Sequence, residues 1–115
     1  MVEGVKSVPF DIKRVYYMFD LEPGSRRGRH AHRKLNQAMT CIQGSCTVLL
    51  DDGRIRRELV LDRPGLGVQL PAMVWHEMYD ITPGAVLVCF ADDVFDAADY
   101  IHEYEEFRAL AAAAG

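Results

Sequence analysis

Between Ile12 and Ala91 the chain repeats one theme: a short run of β-branched, aromatic and apolar residues, then a cluster of Gly, Pro, Asp or Thr. Ile12 to Asp20 (IKRVYYMFD) has strand composition, and Leu21 to Arg29 (LEPGSRRGR) has that of a loop. Asn36 to Gln43 and Ser45 to Leu50 read as strands around Gly44. Asp51-Asp52-Gly53 is a hairpin signal, because Asp-Gly tolerates the positive φ of primed turns. Arg54 to Leu61, Leu66 to Pro71, Val74 to Ile81 and Ala85 to Ala91 complete the series, separated by Asp62-Arg63-Pro64-Gly65 and Thr82-Pro83-Gly84. Many short strands without intervening helices predict an all-β sandwich or barrel. The periodicity changes near Tyr100, where Ile101, Tyr104, Phe107 and Leu110–Ala111 recur at helical spacing. The pattern predicts one helix over about 100–113 with Asp99 as its N-cap.

At 115 residues the expectation is a single domain spanning 1–115. No apolar run approaches the ~20 residues of a membrane span, and Met1-Val2-Glu3-Gly4 does not read as a signal peptide. Cys41, Cys46 and Cys89 lie in apolar runs without C-x-x-C spacing, so they predict buried thiols in a reducing cytoplasm. A net charge of −4 argues against nucleic acid as a partner. The charge is uneven, with Arg26, Arg27, Arg29, Arg33 and Lys34 crowded beside a histidine pair, which suits a small anionic ligand.

That pair, His30-Ala31-His32, puts two imidazoles on one face of an extended segment. Gln37, Gly44, then Gly67, Pro71 and His76 follow. The order resembles the two-part cupin pattern, in which H-x-H, an acid and a late histidine converge inside a double-stranded β-helix, or jelly-roll, barrel. The resemblance implies that fold with a short C-terminal helix. In metal-binding cupins those positions hold a divalent ion; here Gln37 replaces the acid, so no metal is expected.

A narrower resemblance covers most of the chain. Arg14-Val15-Tyr16-Tyr17, Arg27-Gly28-Arg29-His30-Ala31-His32-Arg33-Lys34, Gln37, Gly44-Ser45-Cys46, Leu50-Asp51-Asp52-Gly53, Val74-Trp75-His76-Glu77-Met78 and Asp99-Tyr100-Ile101 with Tyr104 are similar to the dTDP-sugar 3,4-ketoisomerases. The resemblance implies an isomerase of deoxysugar biosynthesis without metal or redox cofactor. It would move the ketone of dTDP-4-keto-6-deoxyglucose from C4 to C3 through an enediol. It also implies His30 as base, Tyr16 as hydroxyl relay, and His32 orienting the sugar or sharing proton transfer. Arg27 and Arg33 become diphosphate ligands, and Gln37 and His76 further substrate contacts. Alternation leaves Tyr16 and Tyr17 as rivals for the inward position, and Trp75 as either packing or a thymine platform. Homodimers that exchange N-terminal strands are implied as well, with Val15, Phe19, Val86 and Val88 as apolar interface surface; this chain starts close to Pro9-Phe10, short of the family's longer N-terminus. Two other readings of the histidines are a metal-dependent cupin enzyme using His30, His32 and His76, and a non-catalytic sugar-binding cupin.

Overall fold

The computed structural model describes residues 10–114; the expectations placed on Met1 to Pro9 fall outside them. Among the described residues nine strands form two antiparallel sheets. They are β1 (Arg14–Met18), β2 (Arg27–His32), β3 (Gln37–Gln43), β4 (Cys46–Asp51), β5 (Arg56–Leu61), β6 (Gly67–Leu70), β7 (Trp75–Tyr79), β8 (Val86–Ala91) and β9 (Tyr100–Ile101). One sheet runs β1-β8-β3-β6 and the other β5-β4-β7-β2-β9. This is the jelly-roll barrel that the turn spacing and the cupin resemblance predict. Most strand ends lie a residue or two inside the expected limits, because pairing stops where the partner's turn begins.

Period-two alternation builds the barrel interior. Met39, Cys41, Val48, Leu61, Leu87 and Cys89 are almost fully buried between the sheets. All three cysteines are buried free thiols, as their apolar setting predicts. The opposite face of β2 and β7 carries a second apolar cluster of Ala31, Trp75, Ile101 and Phe107. The helix α1 (Tyr104–Ala114) covers that face through Tyr104, Phe107, Leu110 and Ala111. Trp75 meets the rings of Tyr104 and Phe107 at 5.3 and 5.9 Å, so it is packing rather than a ligand platform.

The helix starts at Tyr104 rather than near Tyr100. A 3₁₀ turn at Ala97–Asp99 and strand β9 occupy the region before it. Asp99 is not an N-cap: Asp96 caps the 3₁₀ turn, while the Asp99 carboxylate accepts the Lys34 and Leu35 backbone N–H groups at 2.8 and 3.1 Å. Ile101 matches the helical period because it joins the same apolar cluster from a strand. The Leu21 to Arg29 loop is also shorter than its composition suggests, since β2 takes over at Arg27.

Candidate active site

The site is assembled mainly from β1, β2, β3 and β7, with Leu70, Cys89 and Tyr100 from β6, β8 and β9, around a cavity of about 350 Å³. Strand β2 supplies Arg27 and His30, and does so by breaking alternation. Gly28 pairs with Glu77 and His30 with His76, which leaves Arg29 as an extra residue. Gly28 and Arg29 take φ values of 80° and 53° to form this β-bulge. Regular alternation would put residues three apart on opposite faces; the bulge brings Arg27 and His30 to the same one. Glycine is needed at 28 for its left-handed φ and for space, because a Cβ there would lie 3.2 Å from the His76 carbonyl oxygen and the Met78 sulfur.

The bulge also turns the Gly28 carbonyl toward its own strand, where it accepts from His30 Nδ1 at 2.8 Å. His30 is thereby held as the Nδ1–H tautomer, with the Nε2 lone pair free. Its ring packs edge-on against His32 and His76, at 4.9 and 4.6 Å between centroids. Burial lowers the pKa of His30 from 6.5, with the Gly28 hydrogen bond opposing and His102 adding to the fall. Burial and neighbouring imidazoles push His32 down to about 4 and His76 to about 3. All three rings are therefore neutral at pH 7.

Tyr16 faces the cavity and Tyr17 faces solvent, 64% exposed, which settles the rivalry between them. The Tyr16 hydroxyl donates to Gln37 Oε1 at 2.8 Å. Burial, then Cys89 and Tyr100, raise its pKa above 10.0 despite Arg14, so it remains a phenol. Gln37, 2% exposed, uses its amide nitrogen against His32 Nε2 at 3.1 Å. His32 does not reach the cavity surface; it stands behind it, with Nδ1 facing Asp99 Oδ2 at 3.4 Å. It meets the cavity through its neighbours, the His30 ring at 4.9 Å and the Gln37 amide.

Arg33 is also misplaced by the sequence reading. Its guanidinium turns to the outside of the barrel and pairs with Glu106 of α1 at 3.0 Å. The cation that the sequence reading missed is Arg14. It lies over the Tyr16 ring at 4.8 Å, lines the cavity, and has a buried Nε with no hydrogen-bond partner. Tyr100 and Phe95 complete the mouth, their rings 5.6 Å apart.

The ligand atoms of His30, His32 and His76 lie within 4.8 Å of one another, close enough to be tested against the divalent ion of metal-binding cupins. The arrangement does not fit one. The Nε2 lone pair of His32 takes the Gln37 amide N–H, and the residue in the acid's place is a neutral amide whose oxygen takes the Tyr16 proton. These side chains are linked as hydrogen-bond donors and acceptors rather than as coordinating ligands.

Fold and site together define a cupin whose barrel interior gathers imidazoles, a phenol and two arginines around one cavity. The family model described as WxcM-like, C-terminal (FdtA) matches residues 1–112. The TDP-4-oxo-6-deoxy-alpha-D-glucose-3,4-oxoisomerase of Aneurinibacillus thermoaerophilus is 47% identical over 107 residues, covering 93% of this chain and 77% of that enzyme. The TDP-quinovose 3,4-ketoisomerase of Campylobacter jejuni is 43% identical, with a TM-score of 0.88 over 95% of this chain and 84% of its own. A sugar 3,4-ketoisomerase of Thermoanaerobacterium thermosaccharolyticum, solved with TDP, is 36% identical with a TM-score of 0.92, covering 99% of this chain and 83% of that one. The chain belongs to this WxcM-like family of sugar 3,4-ketoisomerases and is an enzyme of the isomerase class.

Proposed function

We propose that the protein converts dTDP-4-keto-6-deoxy-D-glucose to the dTDP-3-keto-6-deoxy sugar by general acid–base catalysis, as a step of deoxysugar biosynthesis. The observation that carries this reading is the pairing across one cavity of a histidine with a free Nε2 and a protonated tyrosine. His30 Nε2 takes the C3 proton, and the C3–H electrons flow toward the C4 carbonyl, giving an enediol. Tyr16 passes the C3 hydroxyl proton across to the C4 oxygen. The imidazolium of His30 then returns its proton to C4. C3 is oxidised and C4 reduced within one molecule, so the electrons balance without an external acceptor. A neutral imidazole suits both halves of this cycle near neutral pH.

The diphosphate is held by Arg27 at the cavity wall and by Arg14, whose unpartnered Nε needs an acceptor. Gln37 and His76 shape the sugar end, and about 350 Å³ falls within the ~300–1,000 Å³ usual for ligand sites. A homodimer is supported by the outer face of the β1 sheet. Val15 and Phe19 there are 54% and 58% exposed, beside Val86 and Val88 on β8. A cytoplasmic setting is supported by the three free thiols, and no described helix is long and apolar enough to cross a membrane.

Incubation with dTDP-4-keto-6-deoxyglucose, followed by proton NMR in deuterium oxide, tests the reading. The wild type should form the 3-keto isomer and exchange the C3 hydrogen, and His30→Asn should do neither while still binding dTDP. Exchange by His30→Asn at the wild-type rate would remove His30 from the role of base.

A further inference from the structure

Four side chains from three separate parts of the chain form a line through the barrel wall. Asp99 Oδ2 faces His32 Nδ1 at 3.4 Å, His32 Nε2 meets Gln37 Nε2 at 3.1 Å, and Gln37 Oε1 meets the Tyr16 hydroxyl at 2.8 Å. His32 and Gln37 are each 2% exposed, so water does not substitute for these partners. Asp99 itself is pinned by Lys34 N and Leu35 N on its carboxylate and by Arg33 N on its backbone oxygen.

Each link has a forced direction. An ionised carboxylate only accepts, so the His32 proton belongs on Nδ1. His32 Nε2 is then an acceptor and must be met by the amide N–H of Gln37. That turns the amide oxygen toward Tyr16, and the phenol must donate. The 3.4 Å approach at the Asp99 end falls short of a formed hydrogen bond, as catalytic contacts often do before substrate binds.

We infer that Asp99 is a positioning residue for the isomerisation: through His32 and Gln37 it fixes the Tyr16 hydroxyl as a donor away from the cavity, so that the phenol oxygen meets the sugar as a hydrogen-bond acceptor. This rests on the ketoisomerase reading above and adds to it the sense in which the relay is set. The oxygen thus first receives the C3 hydroxyl of the sugar. As that proton arrives, the phenol's own proton swings from Gln37 Oε1 into the cavity and leaves for the C4 oxygen, so one proton has moved from the C3 to the C4 oxygen and Tyr16 is unchanged in charge. A reversed chain would offer the sugar a phenol whose lone pair already holds the Gln37 N–H.

Asp99→Asn reverses the first link by putting its amide nitrogen in the place of Oδ2, giving up the longer Leu35 N–H bond while Oδ1 keeps that of Lys34; the new donor drives the His32 proton to Nε2. Nitrogen-15 NMR of the histidine tautomers reads this without substrate. In the wild type His32 should carry its proton on Nδ1; a proton on Nε2 would overturn the inference. In Asp99→Asn the proton should move to Nε2, and kcat should fall about 10–100-fold, the usual scale for removing the outer partner of a functional histidine. KM, dTDP binding and C3 hydrogen exchange should stay near wild type, which a general loosening of the Lys34–Leu35 turn would not leave intact. Wild-type kcat in Asp99→Asn would refute the role. Should that variant fail to fold, Gln37→Leu cuts the chain while leaving His32 protonated on Nδ1, and undiminished turnover there would be equally fatal. Absence of turnover by the wild type would instead defeat the ketoisomerase reading, and the tautomer measurement stands apart from it.

Discussion

Replacing Tyr16 by phenylalanine removes one oxygen from the centre of the site and nothing else. The ring keeps its packing and its place under Arg14, 4.8 Å from the guanidinium carbon. What disappears is the 2.8 Å bond to Gln37 Oε1, leaving an acceptor on a side chain that is 2% exposed. An unsatisfied buried acceptor costs about 1–3 kcal/mol. The cavity admits water on the Tyr16 side, so the lower end applies, about 1 kcal/mol, or a fall in Tm of about 4 °C for a domain of this size. The catalytic effect should be larger. Loss of a proton-transfer group costs about 10²–10⁴-fold, and 10²-fold alone is about 2.7 kcal/mol of barrier. The two numbers are separable by one preparation: thermal unfolding for the first, and NMR of the dTDP-sugar in deuterium oxide for the second. Tyr16→Phe should still exchange the C3 hydrogen while product accumulates at least about 10²-fold more slowly. Turnover within a few-fold of wild type would refute the relay, whatever happened to stability.

Other expectations follow from the same geometry. Arg14→Ala should weaken dTDP binding in calorimetry with little change in fold, because the buried Nε has no protein partner to lose; unchanged affinity would return the diphosphate to Arg27 alone. The base His30 has its pKa lowered from 6.5, so the acid limb of kcat/KM should fall below pH 6.5, and a limb above that value would contradict the burial argument. Gln37→Glu should give the barrel a divalent-ion site, with zinc or nickel retained through dialysis, since three imidazoles already lie within 4.8 Å; a metal-free variant would show that geometry rather than charge excludes the ion. Asp51 is held by the Tyr104 hydroxyl at 2.6 Å and by Gly53 N and Arg56. Burial raises its pKa, but these bonds outweigh it and bring the net value below 3.8. Its stabilising effect is then complete above the unfolded value and lost as pH falls through the folded one. Tyr104→Phe should therefore unfold at a higher pH in acid titration followed by circular dichroism, and an unshifted midpoint would remove Asp51 as the anchor of α1.

The barrel was legible because its strands are short, alternating and bounded by turn residues whose backbone demands are local. That His30, Gln37 and His76 come together at one cavity was legible because their spacing resembles the two-part cupin pattern. The misreadings have physical causes. Arg27-Gly28-Arg29 has loop composition, and only a partner strand turns it into β2 with a bulge. Asp99 looks like an N-cap because capping and gathering the N–H groups of a distant turn use the same carboxylate. Arg33 and Arg14 are indistinguishable as cations in sequence. Which of them faces the cavity depends on the direction of a strand end and on Glu106, far away in the chain, claiming Arg33. His32 has the right chemistry, but it is almost fully buried with its Nε2 held by the Gln37 amide, which spacing along a strand does not reveal.

The extra residue in β2 bears on how relatives of this chain can differ. Removing Arg29 would leave Gly28 opposite Glu77 and His30 opposite His76, so the sheet would close as a regular ladder and every neighbouring side chain would keep its face. A one-residue gap at this point would look harmless in an alignment, and the protein would fold. It would nevertheless place Gly28 next to His30 in the chain, and the carbonyl that now grips His30 Nδ1 could no longer do so. Position 29 is thus a place where evolution can lose a codon without losing the architecture, and where the loss would be paid in the tautomer of the histidine that follows.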